Sequence, residues 1–258
     1  MCYNTIMKKS KFVLKSSSKK IVGYQFRNDF CSEKLPCVIL SHGFMANQMM
    51  CKKYAIHLAE KGFVTFTYDF VGGGLGIKSS GKMCDMTVFT EVADCKDVIS
   101  YVKTLDYVDA DNITLLGCSQ GGFVSALTAV ELPEVVKRLI LFYPAFCIPD
   151  DSRSGQMVFA KFDPANIPEK IKCGPVKIGR GFPATVQDMD VNKAISSYTG
   201  PVCIIHGTAD KLVKYSYSVD AQAAYKNATL IPIEGAGHGF KGEDNEKAIA
   251  AMDKFLGI

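Results

Sequence analysis

Short apolar runs alternate along the chain with longer segments in which apolar and polar residues mix. Continuous apolar runs are typical of strands that are buried on both faces of a parallel sheet. Strands are predicted at residues 37–40, 63–68, 113–116, 138–144, 201–207 and 228–233. Helices are predicted at residues 48–61, 86–105, 123–130, 215–225 and 243–256. This alternation predicts an α/β fold, with a mostly parallel sheet covered by helices on both faces.

Two further strands are predicted at the start of the chain, over residues 11–15 and 20–26, on either side of a polar turn at residues 16–18. Residues 146–199 do not follow the alternation, because they contain five of the ten prolines and four glycines. They are also too many for an ordinary connection. We expect residues 1–258 to form a single domain in which 146–199 is an inserted lid subdomain, with a strand near 176–178 and a short helix near 189–197.

The composition and charge of the chain exclude several classes of function. Apolar residues make up 48% of the chain and charged residues 22%, which is enough to bury a sizeable core. The net charge is only +4, and the lysines at positions 8–20 are typical of a strand edge that resists pairing. We therefore expect no nucleic-acid partner and no membrane partner. The first nine residues lack the apolar segment of a secretory signal, and free cysteines suit a reducing compartment, so a cytoplasmic location is predicted.

The strand at 113–116 runs into Gly117-Cys118-Ser119-Gln120-Gly121, which fits the nucleophile-elbow pattern G-x-S-x-G. A serine hydroxyl needs a base to take its proton and a third group to orient that base. In elbow-bearing folds the partners follow in the order acid, then histidine. Asp210 and His238 follow consecutive predicted strands in that order, so a Ser119-His238-Asp210 triad is predicted.

The other residues near these turns receive narrower interpretations. The backbone N–H groups of Gln120 and Phe44 are predicted to bind the oxyanion. Cys118 lies one position from the apex of the turn, so we expect its side chain to point into the fold. The remaining histidines are interpreted as structural: His42, His57 and His206. Met45, Met49 and Met50 either line an acyl pocket or pack helices, and the sequence leaves both open.

Neither a cofactor nor a metal ion is predicted. The glycines at residues 72–76 do not meet the G-x-G-x-x-G spacing of a dinucleotide site. The ten cysteines include no C-x-x-C pair, which is the usual beginning of a zinc site.

From about Ile21 to Leu256 the chain resembles the α/β-hydrolase superfamily. The motifs that carry the resemblance are residues 41–44 (SHGF), 117–122 (GCSQGG), 206–213 (H-G-x-x-D-x-x-V) and 237–238 (GH). Within the superfamily it most resembles bacterial cinnamoyl/feruloyl esterases, through the SQGG elbow and residues 85–87, 162–168 and 233–238.

Such esterases release hydroxycinnamic acids, so the resemblance implies an aromatic acyl pocket roofed by residues 146–199. It suggests Asp151 and Gln156 as groups that meet the phenolic hydroxyls. Phe182 or Pro183 lies where these enzymes often offer a tyrosine, and Cys118 lies where they usually have histidine.

Residues and resemblance together predict a carboxylic ester hydrolase that acts through an acyl-enzyme on a small-molecule ester. The same triad also fits a serine peptidase of the prolyl-oligopeptidase type or a lipase-like esterase. A hydrolase fold that binds a ligand without catalysis is the alternative of another class. The sequence leaves open whether the protein is a monomer or a homodimer.

Overall fold

The computed structural model describes residues 7–28 and 33–258. The expectation about a secretory signal concerns residues 1–9, most of which lie outside these ranges. Twelve strands lie in the described part of the chain: β1 Met7–Lys15, β2 Lys20–Asn28, β3 Leu35–Ser41, β4 Val64–Asp69, β5 Val108–Cys118, β6 Val136–Phe142, β7 Gln156–Met157, β8 Ala160–Lys161, β9 Lys170–Cys173, β10 Val176–Gly179, β11 Val202–Gly207 and β12 Ala228–Ile233. The α-helices there are α1 Lys52–Glu60, α2 Val88–Val102, α3 Gln120–Glu131, α4 Ile148–Ser154, α5 Gly181–Ala184, α6 Val191–Ile195, α7 Ser216–Ala224 and α8 Gly242–Leu256.

Eight of these strands form one sheet in the order β1-β2-β4-β3-β5-β6-β11-β12. Strand β2 is antiparallel to both β1 and β4, and the pairings from β4 to β12 are parallel. The predicted hairpin at the start of the chain is therefore confirmed, as is the mostly parallel α/β sheet. None of the helices in the described ranges is long and apolar enough to cross a membrane.

Strand β5 shows how the sheet separates two apolar layers. Ile113 and Leu115 belong to a core with side chains of α2, α3 and α7, whereas Leu116 and Cys118 belong to a second core with α1 and α8. Successive side chains of a strand point to opposite faces, so a continuous apolar run can fill both layers. Because parallel strands end at the same edge of a sheet, the loops after β3, β5, β11 and β12 lie together.

Two predicted helices differ from the observed ones in a way that local hydrogen bonds explain. The segment 48–61 begins as a 3₁₀ turn at Gln48–Met50, because the Asn47 side chain accepts the Met49 N–H at 3.0 Å, and α1 follows it. The segment 86–105 starts as a helix only at Val88. There the hydroxyl groups of Thr87 and Thr90 each accept the other's backbone N–H.

Residues 146–199, here called the lid segment, contain α4, the hairpins β7–β8 and β9–β10, α5 and α6. The predicted strand and helix in this segment are observed as β10 and α6. Its buried apolar side chains, among them Phe146, Ile171 and Phe182, belong to the same core as α2 and α3. The segment is thus packed onto the sheet domain, and its role as a lid stays a prediction.

Candidate active site

The turn after β5 holds Ser119 in an unusual backbone conformation, with φ 55° and ψ −120°. A positive φ is costly for a residue with a Cβ, so the surrounding structure must fix it. The Ser119 N–H donates to Phe142 O at 2.9 Å, and its carbonyl oxygen accepts from Gly122 N–H at 2.9 Å and Ala145 N–H at 3.0 Å. Strand β6 and the chain after it therefore clamp the turn and present the Ser119 hydroxyl at the edge of the sheet.

Gly121 allows this turn to lie against the loop after β3. A Cβ at Gly121 would lie 2.4 Å from the carbonyl oxygens of Ser41 and His42, and one at Gly117 would lie 2.2 Å from the Gly121 carbonyl oxygen. Both distances are too short for any side chain. The pattern G-x-S-x-G is thus required by backbone packing at this site.

The structure brings the three predicted triad residues together. His238 Nε2 lies 3.0 Å from Ser119 Oγ, and His238 Nδ1 lies 2.7 Å from Asp210 Oδ2. Ser119 is 8% exposed, and the Asp210 side chain is buried. The short contact to a carboxylate places the proton of a neutral imidazole on Nδ1, so Nε2 is free to accept the hydroxyl proton of Ser119. This arrangement can convert the serine hydroxyl into a nucleophile.

Asp210 is held by more partners than the sequence indicated. Its Oδ1 accepts the N–H groups of Leu212 at 2.8 Å and Val213 at 2.9 Å, and its Oδ2 also contacts His206 Nε2 at 3.1 Å. Burial alone would raise the pKa of Asp210. Hydrogen bonds from His206, His238 and the Val213 N–H outweigh it and hold that pKa well below its ordinary value. Asp210 therefore stays ionised and orients His238.

His206 has the structural role that the sequence predicted, and the structure defines it. Its Nδ1 lies 2.6 Å from Ser218 Oγ, and its Nε2 lies 3.0 Å from Val213 O as well as near Asp210. The carbonyl contact requires a proton on Nε2, which therefore also points at Asp210. The spacing of four residues in H-G-x-x-D is the signal that could have identified this contact.

Tyr143 supports the imidazole of His238 and was not identified from the sequence. Its ring centre lies 4.7 Å from that of His238 in an edge-on arrangement, and Phe240 packs against Tyr143 at 4.9 Å. Tyr143 is buried and has a φ of 38°, so the backbone after β6 is strained here as well. No periodic pattern in the sequence marks such a contact.

The two N–H groups predicted to bind an oxyanion belong to the loop after β3 and to the start of α3. His42 Nδ1 donates to Gly43 O at 2.8 Å, and a trans peptide then directs the Phe44 N–H to the opposite side. Burial lowers the pKa of His42, so its neutral ring accepts the Phe70 N–H on Nε2 at 3.2 Å. Gln120 is the first residue of α3, where N–H groups lack partners within the helix.

A cavity of about 580 Å³ opens beside Ser119 and His238, which is a usual size for a small-molecule site. All three predicted substrate-binding residues line it: Asp151, Gln156 and Phe182. Phe182 is buried, and its ring centre lies 5.7 Å from that of Phe44. Met45 and Met50 line the cavity too, whereas Met49 is 56% exposed outside it. Sequence reasoning missed other lining residues: Ile148, Met157, Val158, Phe159, Ile178 and Leu212.

Asp151 is the acidic side chain of the lid segment that lines this cavity. Burial raises the pKa of Asp151, and the charge of neighbouring Asp150 raises it further. A hydrogen bond with Cys147 and the charge of Lys214 act in the opposite direction. The cavity thus combines apolar walls with a carboxyl group whose charge is sensitive to its surroundings.

Two other sequence interpretations are met. Cys118 is fully buried and packs in the core on the α1 and α8 side, so its thiol points away from the cavity. His57 lies on α1, and its Nε2 lies 2.8 Å from the Asp253 carboxylate of α8. This contact joins the two helices, which is the structural role expected for His57.

Comparisons with known proteins identify the family and the fold. The sequence profile described as serine aminopeptidase, S33 matches residues 32–171, more than half of the chain. Mouse (Mus musculus) monoglyceride lipase is 25% identical over 231 residues, which cover 78% of this chain and 74% of the lipase.

Among solved structures, "Ferulic Acid bound to Est1E from Butyrivibrio proteoclasticus" superimposes with a TM-score of 0.87 and 31% identity, over 95% of this chain and 98% of Est1E. A complex of DcsB with a substrate analogue has a TM-score of 0.75 but 20% identity, over 96% and 98% of the two chains, and supports the fold alone. The chain is therefore a hydrolase of the serine aminopeptidase S33 family in the α/β-hydrolase superfamily, and it resembles the bacterial feruloyl esterases.

Proposed function

We propose that this hydrolase is a carboxylic ester hydrolase in which Ser119, His238 and Asp210 form the catalytic triad. The observation that carries the proposal is the continuous chain of contacts from Asp210 Oδ2 through the imidazole to Ser119 Oγ, at 2.7 and 3.0 Å, beside the cavity. A buried acid, an oriented base and an accessible hydroxyl are what acyl transfer requires.

In the proposed reaction, His238 Nε2 takes the proton of Ser119 Oγ as this oxygen attacks the ester carbonyl carbon. The carbonyl oxygen becomes an oxyanion, which the N–H groups of Phe44 and Gln120 bind. The bond to the alcohol oxygen then breaks, and His238 gives its proton to the departing alcohol. Water then attacks the carbonyl carbon of the acyl-enzyme in the same way, and its proton passes to His238. The bond between the acyl group and Ser119 Oγ breaks, and the proton returns to Oγ.

The proposed substrates carry a hydroxycinnamoyl or similar aromatic acyl group. The rings of Phe44 and Phe182 provide aromatic surface, and the carboxyl group of Asp151 and the amide of Gln156 can accept hydrogen bonds from phenolic hydroxyls. The likeness to the ferulic acid complex of Est1E supports this substrate class. A partly buried polar group that binds a substrate hydroxyl discriminates strongly against analogues that lack this hydroxyl, because the group is then left unpaired.

A second candidate is a lipase-like activity on monoacylglycerols. Val158, Phe159 and Leu212 line the cavity and are 38%, 68% and 49% exposed, so the cavity has an apolar rim that suits an aliphatic chain. The similarity to monoglyceride lipase supports the same candidate. Hydrolysis of an aminoacyl amide would instead fit the peptidase in the family description.

A substrate panel separates these activities. We expect the highest kcat/KM with methyl ferulate, a lower value with methyl cinnamate, and lower values again with a monoacylglycerol and leucine p-nitroanilide. A higher kcat/KM with the monoacylglycerol would favour the lipase, and with the anilide the peptidase. A fluorophosphonate should label the wild-type protein on Ser119 and leave Ser119→Ala unlabelled. Absence of labelling together with absence of turnover would indicate a hydrolase fold that only binds a ligand.

A further inference from the structure

A buried carboxyl group contacts the residue that follows Ser119. Glu91 lies in the first turn of α2 and is fully buried. Its Oε2 lies 2.6 Å from the Nε2 of the Gln120 side chain, which is also buried. The backbone N–H of Gln120 is one of the two proposed oxyanion donors, so Glu91 contacts a residue of the proposed oxyanion site from inside the fold.

The pair formed by Glu91 and Gln120 has more acceptors than donors. Among the described residues, neither Glu91 Oε1 nor Gln120 Oε1 has a hydrogen-bond partner. A Cβ at Gly73 would lie 2.9 Å from Glu91 Oε1. The backbone of the loop after β4 therefore packs directly against this oxygen, with no side chain between them. Buried polar atoms without partners are costly, and the cost is larger for a charged carboxylate than for a neutral carboxylic acid.

Burial of Glu91 and the charge of a neighbouring carboxylate both favour its protonated form. Burial, the largest effect, raises the pKa of Glu91 well above its ordinary value. The hydrogen bond from Gln120 acts against this shift, and the charge of Asp94 adds to it. Asp94 itself is bound by Lys19 Nζ at 2.8 Å and by the Val71 N–H at 2.7 Å. The residues that contact Glu91 from helix α3 and from the loop after β4 are Gln120 and Gly73, respectively, and neither titrates.

We propose that Glu91 is a positioning residue for the oxyanion site, a neutral carboxylic acid that locks the Gln120 side chain and thereby fixes the direction of its backbone N–H. The role rests on the proposed function, in which this N–H binds the oxyanion. Glu91 does not touch the substrate. Its loss should therefore act on transition-state stabilisation more than on substrate binding.

The kinetic test compares Glu91→Ala, Glu91→Gln and Glu131→Gln. Loss of one oxyanion donor typically costs about 10²–10³ in rate, and a misdirected donor should cost less. We expect Glu91→Ala to lower kcat by roughly 10- to 100-fold with KM changed less than about twofold. Glu91→Gln keeps a neutral side chain of the same shape and should restore most of the lost kcat. Glu131 is exposed on α3 and bound to Lys96, so Glu131→Gln is the matched control.

Two measurements report on the proton without catalysis. Infrared difference spectra at neutral pH should show the carbonyl band of a protonated carboxylic acid in wild type and Glu131→Gln but not in Glu91→Gln. The second measurement is the free energy of unfolding against pH. A raised folded pKa means that the contribution of Glu91 is complete below the unfolded value of about 4.3 and declines as pH rises toward the folded value. Glu91→Gln should therefore gain stability relative to wild type across that range.

The inference fails if the band is absent from wild type, if the stability difference between wild type and Glu91→Gln does not change with pH, or if Glu91→Gln loses as much kcat as Glu91→Ala. It also fails if Glu91→Ala is folded and raises KM while leaving kcat unchanged. Failure of the proposed function looks different: the wild-type protein would neither turn over esters nor react with the fluorophosphonate.

Discussion

The turn at Ser119 and the lid segment both line the cavity, but they are held in different ways. The turn lies between central strands, and every residue of β5 from Ile113 to its end is buried. The strands of the lid segment have two to four residues and its helices have four to seven. Buried and exposed positions alternate along β9. The turn has backbone bonds to neighbouring strands, whereas the lid segment is attached mainly by apolar side chains.

This difference separates chemistry from specificity. A rigid sheet edge can hold Ser119, His238 and Asp210 at the distances that proton transfer needs, because several strands fix each loop. Substitutions in the short elements of the lid segment can leave the positions of those strands unchanged. We therefore expect substitutions at the turn to act mainly on kcat, and substitutions in the lid segment to act on the choice of substrate.

The largest effect should come from Ser119→Ala. Removal of the nucleophile from a triad typically lowers kcat by about 10⁶. We expect esterase activity to fall by roughly this factor, with little change in the free energy of unfolding. Cys118→Ala is the neighbouring control, because its thiol points into the core, and its kcat should stay within about tenfold of wild type. Measurement of kcat for both variants decides whether Ser119 or Cys118 is the nucleophile. Activity that is lost in Cys118→Ala but kept in Ser119→Ala would assign the nucleophile to the thiol.

Gly121→Ala should have the next largest effect. The new methyl group would lie 2.4 Å from the backbone carbonyl oxygens of Ser41, the last residue of β3, and of His42, the first residue of the loop after it. We expect this loop to move and to carry the Phe44 N–H with it. We expect kcat to fall by about 10²–10³, as for the loss of an oxyanion donor, and stability to fall by about 1–3 kcal/mol.

Gly237→Ala is the matched control for this substitution, because a Cβ there meets nothing within 4 Å although it adjoins His238. Steady-state kinetics and thermal unfolding of the two variants provide the comparison. Equal losses in both variants would contradict the packing argument.

The same difference decides how much could be predicted from sequence. Each residue of the proposed triad lies in the loop after its own apolar run, so local motifs were sufficient to select Ser119, Asp210 and His238. Side-chain contacts between elements that are distant along the chain, such as those of Tyr143 and Glu91, leave no local pattern. In the lid segment the hairpin β7–β8 has strands of only two residues, too short for any hydrophobic period. The three substrate contacts predicted there came from family resemblance, and the further lining residues could be identified only from the folded structure.

Asp151→Asn should have an effect of intermediate size that depends on the substrate. A hydrogen bond to a charged group contributes about 1.5–3 kcal/mol, so kcat/KM for methyl ferulate should fall by roughly 10- to 100-fold. Methyl cinnamate has no phenolic hydroxyl, and its kcat/KM should change by less than about threefold. Asp150→Asn is the matched control on the same helix, because Asp150 contacts Arg153 and Tyr217 outside this cavity. Equal losses on both esters would refute phenol recognition by Asp151.

The smallest effect should come from Phe159→Ala at the rim of the cavity. Val158 and Phe159 connect β7 to β8, and Val158 adopts a φ of 51°, which is unfavourable for a β-branched residue. This turn holds the Phe159 ring 68% exposed, with one edge over Gly174. A substrate that covers part of the ring gains about 1 kcal/mol. Phe159→Ala should therefore lower kcat/KM by roughly three- to tenfold for esters with bulky apolar groups, and hardly at all for methyl esters. Phe89, an exposed phenylalanine on α2 that does not line the cavity, provides the control Phe89→Ala. If kcat instead fell for every ester, the rim would belong with the turn, and the separation of chemistry from specificity would be wrong.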